Sequence, residues 1–311
     1  LMLARAAERV YWMGRYLERA ENTARIVQQY SQLLLDLPEE VGVGWPELMR
    51  IFGAELQLQA QGGEMSDQAV FRFLLGDGDS RSSLVFALRM ARENLRNTRD
   101  LLPQESWECL NELYRSARNE LASAGTDEDR FDILADCIGR CQQVAGILGG
   151  TMSRRSPFHF LILGRCLERA DMTSRIIDVA TAYLGKNERL VLRYGSTLWT
   201  NALKSVSGFQ MYRQYCQPQV QGVAVIGFLL QDRDFPRAVA RCVDKARASA
   251  AELPRGNATI DALDDIGRFL APIATSSLVP GEVSALMDDV QQRLGAIHGA
   301  VAGTWFLAGD S

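Results

Sequence analysis

Metal-binding side chains are scarce in this sequence of 311 residues, which contains 2 histidines and 6 cysteines. No two cysteines form a CxxC pair, and Cys137 and Cys141, one helical turn apart, suit packing at least as well as metal binding. Neither His159 nor His298 has an acidic residue three positions before it, which argues against the Glu-x-x-His motif of di-iron bundles. We therefore expect no metal site and no cofactor.

A strong charge of one sign and long apolar runs are also missing. The net charge is −4 at pH 7, so the chain as a whole does not attract nucleic acid or an anionic membrane. No apolar run approaches the length of a membrane span, and charged residues interrupt the first sixteen positions, unlike the core of a signal peptide. Scattered cysteines fit a reducing compartment. These observations predict a cytoplasmic protein that binds neither nucleic acid nor membrane.

Familiar catalytic patterns are absent as well. The loop Gly76–Ser83 contains glycines, but it lacks the lysine of a P-loop and follows no predicted strand. His159 and Cys166 would lie about two helical turns apart, too far for a Cys–His pair. Asp132 and Asp136 have no evident partner motif for holding magnesium and a diphosphate. The sequence therefore indicates a fold and a polar site more clearly than a reaction.

One stretch does stand out, Tyr11–Tyr30, because it returns 150 residues later as Leu161–Ala180. In both copies apolar residues recur at steps of three and four, which predicts a helix with one apolar face. Aligned without a gap, the copies share Gly14/Gly164, Arg15/Arg165, Leu17/Leu167, Glu18/Glu168, Arg19/Arg169, Ala20/Ala170, Thr23/Thr173, Arg25/Arg175 and Ile26/Ile176. Because repeats determine architecture, this match predicts an internal duplication.

The rest of the chain also reads as helical, without a clear alternating strand. Phe73-Leu74-Leu75 with two following aspartates resembles Phe228-Leu229-Leu230 with two following aspartates, at a spacing of 155. We predict an all-α domain of residues 1–311, built from two related halves, about 1–150 and 151–311, packed around the two Glu-Arg helices. Individual helices are expected over residues 4–36, 47–60 and 82–102, with Asp79 or Ser80 capping the last.

A polar stripe accompanies each apolar face. In the first copy it contains Arg15, Glu18, Arg19, Asn22 and Arg25, and in the second Arg165, Glu168, Arg169 and Arg175. Glu21 precedes Arg25 by four residues, and Asp171 precedes Arg175 likewise, a favourable spacing for ion pairs within a helix.

Charged stripes are usually solvated. Here, however, arginine occupies three matching places and lysine none, and the guanidinium fork binds carboxylate or phosphate bidentately. Two interpretations stay open: a buried ion-pair network or an anion site.

The loop that leads into the predicted helix 82–102 supplies a second candidate. Asp79 and Arg81 lie in the sequence GDGDSRSS, which is explained as a helix cap. The alternative is a ligand loop beside the Glu-Arg helices, supported by the return of its aspartate pair as Asp232 and Asp234. The cap is the favoured interpretation.

With these residues in hand, the chain resembles the bacterial alpha-E domain family. The resemblance rests on AERVYWMGRYLERAENTAR at the start, SRSSLVFALRMARENLRNTRD in the middle and GRCLERADMTSR in the second half. It implies an all-helical protein, typically encoded beside, or fused to, a circularly permuted ATP-grasp protein and near a transglutaminase-like protease. It also implies a role in peptide synthesis or modification, but it brings no established catalytic residues. Met172 departs from the polar Asn22 of the first copy.

Three functional hypotheses follow. In the first, the protein is an accessory to an ATP-grasp amide-forming ligase, and its arginines present a cleft to a peptide, carboxylate or phosphate, with Glu18 and Glu168 holding them in place. In the second, it is an enzyme acting on a peptide or amide, with one of these glutamates as general base. In the third, the stripes form a purely structural network. Flanking arginines lower a glutamate's pKa, which argues against the second.

Overall fold

The computed structural model describes residues 2–38, 41–60, 66–124, 126–184 and 188–307, and within these ranges it is helical with no strand. The predicted all-α class is therefore confirmed. Its α-helices are α1 (Ala4–Asp36), α2 (Trp45–Ile51), α3 (Glu55–Ala60), α4 (Asp67–Phe71), α5 (Leu84–Arg96), α6 (Gln104–Ser123), α7 (Asp127–Thr151), α8 (Ser156–Leu184), α9 (Glu188–Ser205), α10 (Phe209–Tyr215), α11 (Gly222–Gln231), α12 (Val239–Ala251), α13 (Asn257–Leu270) and α14 (Pro280–Val301). Single π-helical turns, Arg72–Gly76 and Ala302–Phe306, follow α4 and α14.

The long first helix has the predicted bounds. It runs from Ala4 to Asp36 and ends before Pro38, which cannot continue a helix. Its predicted apolar face is fully buried, from Met13 through Leu17 to Val27. Most of the free energy that holds such a helix comes from this burial rather than from intrinsic helix propensity.

Three local predictions were wrong. The helix expected over 82–102 is α5, which is shorter and runs over Leu84–Arg96. The helix expected over 47–60 is interrupted, because Gly53 adopts a φ of 61° and separates α2 from α3. The cap of α5 is Ser83, whose Oγ accepts a hydrogen bond from the backbone N–H of Phe86 at 3.1 Å. Asp79 and Ser80, expected as caps, lie upstream of that position.

Helices α1 and α8 pack directly against each other through glycine. A Cβ atom at Gly14 would lie 2.5 Å from the carbonyl oxygen of Leu161, and a Cβ atom at Gly164 would collide with the carbonyl oxygen of Tyr11. Only glycine permits this approach of two backbones. Helix α1 also contacts α5, α7 and α9, whereas α8 contacts α2, α9, α12 and α14.

None of the helices in the part of the chain that the structure describes is both long enough and apolar enough to cross a membrane.

Candidate functional site

The glutamate of each Glu-Arg helix pairs with arginines of the other helix. The carboxylate of Glu168 on α8 accepts hydrogen bonds from Arg15 Nε at 2.7 Å, from Arg19 Nε at 2.5 Å and from Arg19 Nη2 at 3.0 Å, all on α1. Its side chain is only 2% exposed. The close glycine contact between the helices brings these side chains within reach. We call Glu168, Arg15 and Arg19 the Glu168 centre.

Glu18 on α1 pairs in turn with arginines of α8, and its side chain is 0% exposed. Arg169 binds it bidentately, with Nε and Nη2 each 2.8 Å from a carboxylate oxygen. Arg165 donates from Nε and Nη2 at 3.3 and 3.2 Å. Arg237, two residues before α12, adds a third guanidinium, with Nη1 2.8 Å from Oε1. We call Glu18, Arg165, Arg169 and Arg237 the Glu18 centre.

Arg237 links this centre to the next turn of α1. Its Nη1 also donates to Asn22 Oδ1 at 2.8 Å, and its Nη2 donates to Glu21 Oε1 at 2.6 Å. The same Glu21 oxygen accepts from Arg25 Nη2, in the pair predicted from their spacing. The two centres together with Glu21, Asn22 and Arg25 form what we call the Glu-Arg cluster.

Both central carboxylates are held ionised. Burial alone would raise the pKa of Glu168, but the guanidinium groups of Arg15 and Arg19 outweigh it and lower the pKa to about 2. For Glu18 the effect of burial is likewise outweighed, by Arg169 and the other two arginines of its centre, and the pKa falls well below the usual range. Carboxylates that are ionised and already occupied by guanidinium groups are poor general bases.

The two centres have different surroundings. At the Glu168 centre, the Arg15 guanidinium lies 5.4 Å from the Trp12 ring and that of Arg19 lies 5.4 Å from the Tyr16 ring, within the range of cation–π attraction. Both rings are half-buried. Arg19 is also the most exposed arginine of the cluster, at 24%.

At the Glu18 centre, two buried thiols lie near the Arg169 guanidinium. Burial raises the pKa of the Cys166 thiol, and the same cause raises that of Cys242. Both thiols are therefore protonated at neutral pH and unsuited to nucleophilic attack. This side of the cluster is the more enclosed.

The remaining sequence candidates lie apart from the central carboxylates. Arg175 forms the predicted pair with Asp171, with Nε 2.9 Å from Oδ2. Asp79 and Arg81 are exposed, and Asp79 donates its backbone N–H to Asp77 Oδ1 at 2.8 Å in a local turn. Among the described residues, no hydrogen bond or ion pair joins Asp79 or Arg81 to the Glu-Arg cluster.

Sequence reasoning missed Arg237. A signal is present in the sequence, because Arg237 follows Asp232 and Asp234, the aspartate pair that corresponds to Asp77 and Asp79. At the spacing of 155, however, Arg81 aligns with Pro236 and Arg237 aligns with Ser82. Only packing decides which loop arginine turns inward, and here Arg237 is buried at 9% exposure.

The cluster combines six arginines with three glutamates: Arg15, Arg19, Arg25, Arg165, Arg169 and Arg237 against Glu18, Glu21 and Glu168. Its chemistry therefore favours an anion over a cation. In the described residues, no group of three or more His, Cys, Asp and Glu side chains is placed to hold a metal ion.

Comparison with known proteins identifies relatives of the whole chain. The model of the Alpha-E family, described as a predicted alpha-helical domain with a conserved ER motif, matches residues 2–306. Two mycobacterial proteins, uncharacterized protein Mb2597 of Mycobacterium bovis and uncharacterized protein MT2643 of Mycobacterium tuberculosis, are each 22% identical over 317 residues. The matches cover 94% of this chain but 35% of each relative, so the chain spans about a third of their length. No solved structure matches.

Proposed function

This chain belongs to the Alpha-E family, and from that membership we propose that it is an accessory protein to an ATP-grasp amide-forming ligase. It presents the Glu-Arg cluster to a carboxylate, a phosphate or an anionic end of a peptide during peptide synthesis or modification. It works in the cytoplasm, where ATP is supplied. A transglutaminase-like protein is a second candidate partner.

The observation that carries this proposal is the excess of guanidinium groups over carboxylates at the contact between α1 and α8. Three arginines of the two centres keep a terminal nitrogen without a hydrogen-bond partner among the described residues: Nη2 of Arg15, Nη1 of Arg19 and Nη1 of Arg165. Their side chains are 13%, 24% and 16% exposed. The glutamates fix one edge of each guanidinium, and the other edge is left to bind an oxyanion.

The same geometry favours binding over catalysis. A general base needs a carboxylate that is free to accept a proton from the substrate. Glu18 and Glu168 instead accept hydrogen bonds from three and two arginines, respectively. A purely structural role is the second candidate, favoured by the nearly complete burial of both carboxylates.

We also propose that residues 1–150 and 151–311 are an internal duplication organised around α1 and α8. The loops before α5 and α12 contain the same turn, in which Asp77 Oδ1 accepts from the backbone N–H of Asp79 and Asp232 Oδ1 from that of Asp234, each at 2.8 Å. Helices α5 and α12 both have 13 residues and begin 155 positions apart. Shared loop geometry at matching positions supports a common origin.

Calorimetric titration with the ATP-grasp protein encoded beside the chain, with and without ATP, tests the accessory role. We expect saturable binding by the native chain and at least tenfold weaker binding by the double variant Arg19→Gln/Arg165→Gln, which removes two of these unpaired terminal nitrogens. Arg247→Gln is the matched control, because Arg247 pairs with Asp264 on the surface, outside the cluster. Circular dichroism verifies that each variant is folded.

Two results would overturn the accessory role. One is no binding under any nucleotide condition. The other is a folded double variant that binds like the Arg247→Gln control. A double variant that does not fold would support the structural role instead, and single substitutions at Arg19, the most exposed position, would then test binding.

A further inference from the structure

Two donors of the Glu-Arg cluster are buried and have no partner in the part of the chain that the structure describes. They are Nδ2 of Asn22 and Nε of Arg25, and these residues are 4% and 8% exposed. Leaving a buried donor unpaired destabilises the fold, and native proteins rarely tolerate it. Two such donors in one cluster indicate an acceptor that the described residues do not supply.

The hydrogen bonds around these donors fix their orientation. Asn22 Oδ1 accepts from Arg237 Nη1 at 2.8 Å, so the amide nitrogen must point the other way. Glu21 Oε1 is already shared by Arg25 Nη2, Arg237 Nη2 and Gln142 Nε2. Asn22 and Arg25 are three residues apart on α1, a spacing at which helical side chains are neighbours.

The charge of this region points to the kind of acceptor. Four arginines, Arg25, Arg165, Arg169 and Arg237, face two glutamates, Glu18 and Glu21. Burial lowers the pKa of the Arg25 guanidinium, and the positive charge of Arg237 lowers it further. The carboxylate of Glu21 raises this pKa but does not fully compensate the two lowering effects. An electrically neutral acceptor would satisfy the two donors but leave the excess positive charge in place.

We propose that this enclosed side of the cluster binds one small anion, of the size of a halide or formate, between Asn22 Nδ2 and Arg25 Nε. The site is distinct from the more exposed edges of Arg15, Arg19 and Arg165, and it does not depend on a ligase partner. The anion supplies the acceptor for both donors and reduces the repulsion between Arg25 and Arg237. It is a structural ligand of the cluster.

Thermal unfolding of the full chain in chloride tests this site, with bulky gluconate replacing chloride at constant ionic strength. We expect chloride to raise Tm saturably by roughly 2–5 °C. In the variant Asn22→Asp, a carboxylate keeps the acceptor for Arg237, removes the unpaired donor and adds the missing negative charge. This variant should be stable in gluconate and show no chloride response. Asn119→Asp, the same change on an exposed position of α6, should respond like the native chain.

Bromide provides a direct measurement, because its anomalous scattering locates the ion in a crystal of the native protein without any substitution. A peak beside Asn22 and Arg25 is the expected result. A native Tm that is the same in chloride and gluconate would overturn the proposal and assign the position to an ordered water molecule. An equal chloride response in Asn22→Asp would place any bound anion elsewhere. Neither measurement involves the ligase, so failure here and failure of the accessory role are separate results.

Discussion

The Glu18 centre and the Glu168 centre are built from the same sequence motif but differ in composition. Glu168 receives two arginines, both from α1, and these guanidinium groups lie beside half-buried aromatic rings. Glu18 receives two from α8 and a third, Arg237, from outside the motif. The Glu168 centre is therefore the more accessible, and the Glu18 centre the more strongly charged.

This difference shows that a repeated motif does not by itself produce a repeated site. The reciprocal exchange depends on residues shared by both copies, above all the glycines that bring α1 and α8 together. The character of each centre depends on positions that differ: where the first copy has Trp12 and Tyr16, the second has Ile162 and Cys166. We expect a ligand to engage the aromatic side and the Glu18 side to serve mainly as its support.

The largest difference should appear when each glutamate is neutralised. Glu18→Gln removes the negative charge that three arginines share in a fully buried position, together with one of the two acceptor oxygens, and should cost about 3–5 kcal/mol of the free energy of unfolding. Glu168→Gln removes the negative charge shared by two partly exposed arginines and should cost less. Urea denaturation of both variants measures the comparison. Equal losses would mean that Arg237 contributes little to the Glu18 centre.

The next largest effect should be the contribution of the Glu168 centre to the pH dependence of stability. The pKa of Glu168 is about 2 in the fold and near 4.5 in the unfolded chain, so the unfolded state binds this proton first as the pH falls. The resulting stabilisation, on the order of 3 kcal/mol, is complete above about pH 5 and is lost as the pH falls toward 2. Urea midpoints between pH 6 and 3 should decline in the native chain and decline less steeply in Glu168→Gln. A slope unaffected by that substitution would contradict the assignment.

Widening the contact between the helices should affect both centres together. Gly14→Ala and Gly164→Ala each place a methyl group against a carbonyl oxygen of the other helix and should cost about 1–3 kcal/mol through overpacking. Gly146→Ala is the control, because this glycine lies in α7 and a new Cβ there would meet no other segment of the described chain within 4 Å. It should be neutral or stabilising by up to about 1 kcal/mol. Thermal unfolding of the three variants distinguishes a tight contact from a general intolerance of alanine.

The smallest effect concerns the aromatic rings that mark the Glu168 centre. In a double-mutant cycle of Tyr16→Leu and Arg19→Gln, we expect a coupling of about 0.5–1 kcal/mol from the cation–π contact, because each substitution removes one partner of it. The equivalent position at the other centre is Cys166, so a cycle of Cys166→Ala and Arg169→Gln should show little coupling. Similar values in both cycles would remove the distinction between the two surroundings.

The sequence predicted the helical class, the bounds of α1 and the pairing of Glu21 with Arg25, because these depend on local spacing. It predicted the two arginine stripes but left open whether they form a buried ion-pair network or an anion site, since a helix pattern does not determine how two helices pack against each other. The sequence pointed to Arg81 as the loop arginine of the site, but the loop arginine that is buried in the cluster is Arg237. The direction in which a loop side chain points depends on tertiary packing, which the sequence pattern does not contain. The break at Gly53 was missed because isolated glycines are common inside helices.

The glycine contact between α1 and α8 also limits how the protein can respond to a ligand. Sliding one helix by a single residue, about 1.5 Å, would drive a side-chain-bearing position into the facing carbonyl and separate every exchanged arginine from its glutamate. The two helices therefore move as one rigid unit, and only one register between them is sterically allowed. Any signal produced by binding at the cluster must travel through side-chain rotation or through the loop that carries Arg237, and not through a shift of the helices along their axes.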